Sequence, residues 1–137
     1  MPSIKLMDCD PELVAKWGEV LADYHPDGRA LILTCSYRSP EEQWALFKVG
    51  RYQLQDGSWA VDSDAGTSIV TQLDGIVHKS KHNLHPARAL DFAVTVGGKV
   101  SWDIREYAPV GALAKQHGLV WGGDWKTLKD APHVELP

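Results

Sequence analysis

The segment SKHNLHPARALDF, residues 80 to 92, concentrates side chains that bind metal ions. It contains His82, His85 and Asp91, and imidazole and carboxylate groups are common zinc ligands. A catalytic zinc site usually takes three protein ligands and leaves one position for water. His82, in a loop, and Asp91, at the start of a predicted strand, are candidates for two of them. His133 is the candidate for the third, because it opens the terminal strand-like run HVEL.

Asp130 lies three residues before His133 and is the candidate general base. A zinc-bound water has a pKa of about 7, and a carboxylate that faces it can take its proton. His85 is close enough in sequence to compete with His82 as a ligand. The chain has no HExxH or CxxC sequence, which excludes those two types of zinc site. The other histidines are interpreted as solvated or structural: His25, His78 and His117.

The composition is that of one folded domain, predicted to span residues 1–137. The chain is 44% hydrophobic and 23% charged, and its net charge of −4 argues against a nucleic-acid partner. No stretch approaches the roughly 20 apolar residues of a membrane span. The N-terminus has no apolar core of signal-peptide length, so we expect synthesis and folding in a cytoplasm. We expect a monomer, with Cys9 and Cys35 as reduced thiols.

The first half of the chain predicts two helices around a strand. Asp10-Pro11 is typical of a helix start, and apolar residues then recur at helical spacing as far as Tyr24. ALILTC, residues 30 to 35, indicates a buried strand. Ser39-Pro40-Glu41-Glu42 is a capping box that begins a second helix. From about 50 to 79 the pattern weakens, which predicts a long irregular loop with one short strand at Val70 and Thr71.

The second half predicts a small sheet and a third helix. ALDFAVTV, residues 89 to 96, alternates as a strand does, and Gly97-Gly98 indicates a hairpin turn into KVSW. Residues 103 to 117 predict a helix, and residues 119–121 and 133–136 predict strands around a GGDW loop. The whole is an α+β fold, a single small domain with about three helices and a mostly antiparallel sheet.

These motifs together resemble the LAS metallopeptidases. That group includes VanY-like D,D-carboxypeptidases, VanX-like D,D-dipeptidases and phage L-alanyl-D-glutamate endopeptidases. The resemblance covers roughly residues 30 to 137. It is carried by Ser80-Lys81-His82, Ala89-Leu90-Asp91, Asp130-Ala131-Pro132-His133, SYRSPEEQ at 36 to 43, VT at 70 and 71, and WGGDW at 121 to 125.

The resemblance implies a hedgehog/D,D-peptidase-like fold and one Zn²⁺ held by His82, Asp91 and His133. It implies Asp130 as general base and acid. It also implies that Arg38 binds the substrate or stabilises the developing oxyanion. One departure matters: eight residues separate His82 from Asp91, a longer interval than the family's commoner pattern. This leaves open that His85 replaces His82.

Further residues have two interpretations. Ser80 hydrogen-bonds the substrate or shapes a turn, and Gln43 lies near the site or on a helix surface. Glu135 shares a strand face with His133, which predicts that it orients that ligand. Three tryptophans either line a peptide groove or pack in the core: Trp102, Trp121 and Trp125.

The resemblance implies a peptidase that acts on the peptidoglycan stem peptide. The short chain resembles phage or prophage endolysins that cleave the L-Ala–D-Glu bond and reach the wall after holin-type release. Two alternatives stay open: a D-Ala-D-Ala carboxypeptidase of the same family, and a zinc-stabilised wall-binding domain without activity.

Overall fold

The computed structural model describes residues 2–62, 69–75 and 79–137. They form three α-helices and seven β-strands, which confirms the predicted α+β class. None of the described helices has the length and apolar character needed to cross a membrane. In chain order the elements are α1 (Pro11–Asp23), β1 (Arg29–Cys35), α2 (Pro40–Lys48), β2 (Arg51–Gln53), β3 (Trp59–Val61), β4 (Ala89–Val96), β5 (Lys99–Ser101), α3 (Ile104–Gln116), β6 (Val120–Trp121) and β7 (His133–Glu135).

Strand β4 is the centre of the main sheet. It pairs with β1 on one side, and on the other side with β7 at its start and β5 at its end. Strand β6 extends the sheet beyond β7, and every pairing is antiparallel. The register sets Asp91 opposite both Cys35 and His133. Two of the predicted ligands are therefore placed side by side by strand pairing alone.

The core lies on one face of this sheet. Leu90, Phe92 and Val94 alternate along β4 and are fully buried in one cluster with residues of α1 and α3. The Phe92 ring lies 5.2 Å from Trp17 of α1 and 5.6 Å from Tyr107 of α3, measured between ring centroids. Since successive side chains of a strand point to opposite faces, Asp91 projects away from this core.

The helices begin as their sequences predict. Asp10 caps α1 by accepting from the Glu12 amide, and Asp103 caps α3 by accepting from the Arg105 amide. The capping box of α2 is complete, with Ser39 and Glu42 each accepting from the other's backbone amide. These caps satisfy amides at the first turn that have no partner within a helix.

The segment from 50 to 79 differs from the prediction. Strands β2 and β3 form a two-stranded hairpin, so the expectation of an irregular loop was wrong there. The Asp56-Gly57 pair at its turn was the available signal. The hairpin is held by aromatic packing, since Trp59 lies edge-on to Trp44 of α2 at 5.3 Å. The predicted strand at Val70 and Thr71 was also wrong, because these residues have no regular structure.

Candidate metal centre and substrate pocket

Three of the predicted site residues lie together on the face of the sheet opposite the hydrophobic core. His82 is the middle residue of a 3-10 helix, Lys81–Asn83, which precedes β4. Its Nε2 atom lies 3.1 Å from Asp91 Oδ1 and 3.3 Å from His133 Nδ1. His133 Nδ1 lies 2.9 Å from the same Asp91 oxygen. Both histidines are buried, which keeps these atoms in place.

In each histidine, the ring nitrogen that points away from Asp91 makes a hydrogen bond that fixes the tautomer of the ring. His82 Nδ1 is 2.8 Å from the Ser36 carbonyl oxygen, and His133 Nε2 is 2.8 Å from Glu135 Oε1. Both partners are acceptors, so these nitrogens carry the hydrogens of the neutral rings. The inner nitrogens then present lone pairs to each other and to Asp91. Lone pairs this close repel one another unless a cation lies between them.

The spacing suits a small metal ion. Bonds of about 2.0–2.2 Å at tetrahedral angles separate ligand atoms by about 3.3–3.6 Å, slightly more than the 2.9–3.3 Å within this trio. The carbonyl and carboxylate behind the two rings are the outer partners that metal-binding histidines usually have. The three residues therefore fit a metal ion as ligands.

The pKa shifts of His82 and Asp91 also indicate that this cluster attracts positive charge. Burial lowers the pKa of His82, but the hydrogen bonds with Asp91 and Cys35 outweigh it and raise the pKa to about 10. Burial raises the pKa of Asp91, but the hydrogen bonds with His133 and His82 hold it well below its ordinary value. The carboxylate is therefore ionised and holds positive charge beside it.

Asp130 lies beside this trio. Its Oδ2 atom is 3.8 Å from His133 Nδ1, and its side chain is 44% exposed. Burial and the neighbouring Asp91 charge raise its pKa. Its backbone amide donates to the Gly122 carbonyl at 3.0 Å, which fixes it at the end of its loop. A partly exposed carboxylate with a raised pKa suits the exchange of protons with a substrate.

Arg38 reaches the trio from the turn that precedes α2. Its Nη2 is 3.3 Å from Asp91 Oδ2, and its Nη1 donates to Gln43 Oε1 at 2.7 Å. Gln43 is only 1% exposed, so it is not a helix-surface residue. Its Nε2 donates to the Leu73 carbonyl at 2.8 Å. Gln43 thus joins the guanidinium to the segment 69–75.

A pocket of about 580 Å³ opens over these groups. The trio, Arg38 and Asp130 line it together with polar and apolar residues of five other stretches of the chain. Of the three tryptophans, Trp125 lines it, with its ring 4.9 Å from that of His133. Trp121 is buried and donates to the Ala131 carbonyl, and Trp102 is 69% exposed. Neither of these two lines the pocket in the described part of the chain.

Comparison with known proteins identifies the family. A family model described as D-alanyl-D-alanine carboxypeptidase, of the peptidase M15 group, matches residues 59–136, more than half of the chain. The chain belongs to the M15 peptidase family. Its members are metallopeptidases, and the matched stretch contains all three residues of the trio and Asp130.

Two relatives carry more detailed names. The peptidoglycan L-alanyl-D-glutamate endopeptidase CwlK of Bacillus subtilis is 33% identical over 119 residues, covering 80% of this chain. This chain spans 62% of the length of that protein. The crystal structure of the Serratia marcescens L-Ala D-Glu endopeptidase ChiX superposes with a TM-score of 0.69 at 24% identity. It covers 96% of this chain and 83% of ChiX, so the two share a fold.

The competing histidine, His85, lies apart from the trio. His85 is exposed, and its ring packs against Tyr37 at 5.0 Å. Residues 82–87 form a loop that the Arg88 amide closes by donating to the Lys81 carbonyl at 3.0 Å. This loop takes up most of the His82–Asp91 interval. His82, and not His85, is therefore placed beside Asp91.

The other predicted residues are placed as follows. Ser80 lines the pocket and also caps the 3-10 helix by accepting from the His82 amide. Its role in the turn is therefore confirmed, and its contact with a substrate stays a prediction. His117 pairs with two acidic residues of α1, far from the trio in the fold. His25 is exposed, and His78 lies outside the described residues.

The sequence analysis did not assign a role to Lys81. Lys81 Nζ lies 2.8 Å from Glu135 Oε2, and it also donates to the Leu136 carbonyl. Glu135 in turn accepts from His133, as the strand alternation predicted. Lys81 therefore holds the carboxylate that orients His133. No pattern in the sequence links Lys81 to Glu135, because their contact depends on how the 3-10 helix meets β7.

Proposed function

We propose that the protein is a zinc-dependent peptidoglycan hydrolase that cleaves the L-Ala–D-Glu bond of the stem peptide. The observation that carries the proposal is the convergence of three lone pairs, from His82, Asp91 and His133, on the floor of a pocket beside a proton-exchanging carboxylate. The activities for which CwlK and ChiX are named support the choice of bond.

Zinc is the metal that this ligand set favours. Two imidazoles and one carboxylate are a common catalytic zinc set, and a fourth position is left for water. Bound zinc lowers the pKa of its water to about 7 and polarises a carbonyl group. The protein residues supply the remaining parts of the reaction.

Asp130 is the proton carrier in this proposal. Its carboxylate takes a proton from the water that attacks the scissile carbonyl and delivers it to the leaving amine. Its position beside His133 Nδ1 and its partial exposure give it access to both. Its raised pKa makes the carboxylate a stronger base, which favours the uptake of the proton from water.

Arg38 stabilises negative charge in this proposal. Its guanidinium is 13% exposed and is held between Gln43 and Asp91. A fixed cation in a dry site acts strongly on the charge that grows on the carbonyl oxygen. Ser80 lines the same pocket and offers a hydroxyl to the peptide.

The test is a digest of purified Gram-negative peptidoglycan, with mass spectrometry of the released peptides. New D-Glu amino termini that disappear with a chelator and return with zinc are the expected result. Release of terminal D-Ala alone would instead identify the second candidate, a D,D-carboxypeptidase, which the description of the family model favours. Zinc binding without any product would identify a wall-binding domain.

We propose further that the enzyme acts on the wall after release from a host cytoplasm by a phage holin. This rests on the resemblance to phage endopeptidases. Expression in a bacterial cytoplasm with and without a holin tests it, and lysis only with the holin is expected. Lysis without a holin would contradict it.

A further inference from the structure

Leu128 has a backbone conformation that leucine rarely adopts. Its φ angle is 48°, and it is the one non-glycine residue with positive φ in the part of the chain that the structure describes. In this left-handed region the Cβ atom crowds the backbone, so glycine is favoured there and a bulky residue is a true outlier. Such conformations persist only where the surroundings enforce them, and they cluster at binding sites.

The loop that contains Leu128 is closed tightly at its base. The Gly122 carbonyl accepts from the amides of both Trp125 and Asp130, at 3.2 and 3.0 Å, and so closes the loop at its base. A Cβ atom on Gly122 would lie 2.2 Å from the Asp130 carbonyl oxygen, so the two ends of the loop touch. The chain must turn sharply within the few residues between them.

The side chain of Leu128 faces the pocket. It lines the cavity above the metal centre and is 37% exposed. Other apolar lining residues are also partly exposed: Val70 is 52% and Leu73 is 38% exposed. An exposed leucine on an unfavourable backbone weakens the fold twice, once through the backbone and once through its contact with water. Glycine would avoid both.

We propose that Leu128 is a specificity-determining residue, which packs against an aliphatic side chain of the peptide next to the cleaved bond. The inference rests on the proposed function and names part of its substrate subsite. The stem peptide offers the methyl group of L-Ala and the methylene groups of D-Glu at this point. A bound peptide would cover Leu128, Val70 and Leu73 together, which removes their apolar surface from water.

The competing explanation is that only the backbone matters. The turn at Leu128 directs the chain toward Asp130, two residues later, and any side chain would then serve. Three variants separate the explanations. Leu128→Gly removes the side chain and the backbone cost, Leu128→Ala removes the side chain only, and Leu128→Met keeps an apolar side chain of similar size.

The expected result is a rise in KM for an L-Ala-γ-D-Glu stem peptide of about tenfold in the Gly and Ala variants, with kcat little changed. Leu128→Met should keep a KM near the wild-type value. Thermal unfolding should occur at a higher temperature for Leu128→Gly than for Leu128→Ala, because glycine tolerates positive φ. Leu54→Ala is the control, since Leu54 is 41% exposed but does not line the pocket.

A binding measurement keeps this test separate from catalysis. Calorimetry with the same peptide compares Asp130→Asn with Asp130→Asn/Leu128→Gly, and weaker binding by the double variant supports the proposal. Wild-type protein that binds the peptide without cleaving it would overturn the proposed function. The comparison of the single and double variants would still show whether Leu128 contributes to peptide binding. Equal KM and equal binding in all variants would overturn the role of Leu128. A protein that neither binds nor cleaves would overturn both.

Discussion

The floor and the walls of the pocket are built in different ways. The floor is made of side chains on paired strands and on a capped 3-10 helix, and each of the three candidate ligands has a further hydrogen-bond partner: Ser36 for His82, Glu135 for His133 and Arg38 for Asp91. The walls come from the irregular segment 69–75 and from the loop 122–132, and their apolar side chains are partly exposed. The difference indicates that the candidate ligands are held on regular elements, while irregular segments form the walls that a substrate would contact.

The largest effect should follow from removal of a floor ligand. His82→Ala leaves two ligands and is expected to lose the metal and all measurable hydrolysis. His85→Ala is the matched control, because it removes a histidine three residues away that lies outside the trio. Elemental mass spectrometry of the purified variants measures the metal. Retention of the metal in His82→Ala together with its loss in His85→Ala would show that His85, and not His82, is the ligand.

Asp130→Asn should separate binding of the metal from turnover. The substitution keeps the size of the side chain and removes its ability to take a proton, so kcat should fall by about 10²- to 10⁴-fold. Metal content and unfolding temperature should stay near wild-type values. Unchanged hydrolysis in this variant would show that another group moves the proton.

Lys81→Met should weaken metal binding by removing a contact that holds Glu135. Without the ammonium group, Glu135 loses one of its two partners, and it orients His133 less firmly. Loss of such outer contacts typically weakens metal affinity by about 10- to 100-fold. Competition with a fluorescent chelator measures this. Lys79→Met is the control, since Lys79 also lines the pocket but makes no ion pair with a described residue. Equal affinities in the two variants would contradict the role of Lys81.

The smallest effect should come from a contact remote from both floor and walls. His117 donates to Asp23 and Glu19 of α1 through its two nitrogens, each at 2.7 Å, which requires the charged ring. The hydrogen bond with Asp23 raises the pKa of His117, despite an opposing effect of desolvation. Its stabilising effect is therefore complete below the unfolded pKa of about 6.5 and is lost as pH rises through the raised value.

The corresponding measurement is the unfolding temperature of His117→Gln at pH 6 and at pH 9. The variant should be less stable than the wild type at pH 6, and the gap should narrow at pH 9. Hydrolysis at a fixed pH should not change. A gap that widens with pH would reverse the assigned sign.

The sequence was most informative where local rules act alone. The caps of the helices and the alternation of β4 were predicted because each depends on neighbouring residues. The adjacency of Asp91 and His133 followed once both were assigned to strands of one small sheet. The fold class followed from the same elements.

The remaining features depend on contacts between distant parts of the chain. The link from Lys81 to Glu135 spans 54 residues, and that from Gln43 to Leu73 spans 30, so neither leaves a local pattern. The positive φ of Leu128 was invisible because no glycine or asparagine stands there to signal it. The hairpin β2–β3 was missed because its strands are only three residues long and its packing against Trp44 is tertiary.

The loop of residues 82–87 has a consequence for how related chains are recognised. The Lys81 carbonyl and the Arg88 amide close it at its base, so the chain enters and leaves at one place whatever lies between. His82 is held by its 3-10 helix, and the buried Ala87 is held by hydrogen bonds with Asp8 and Asp10. We therefore expect that a change in the number of residues between Asn83 and Ala87 would leave His82 beside Asp91. The number of residues between two ligands in the sequence is therefore a poor criterion for identifying such sites. A search that requires a fixed interval would discard chains whose metal centres are intact.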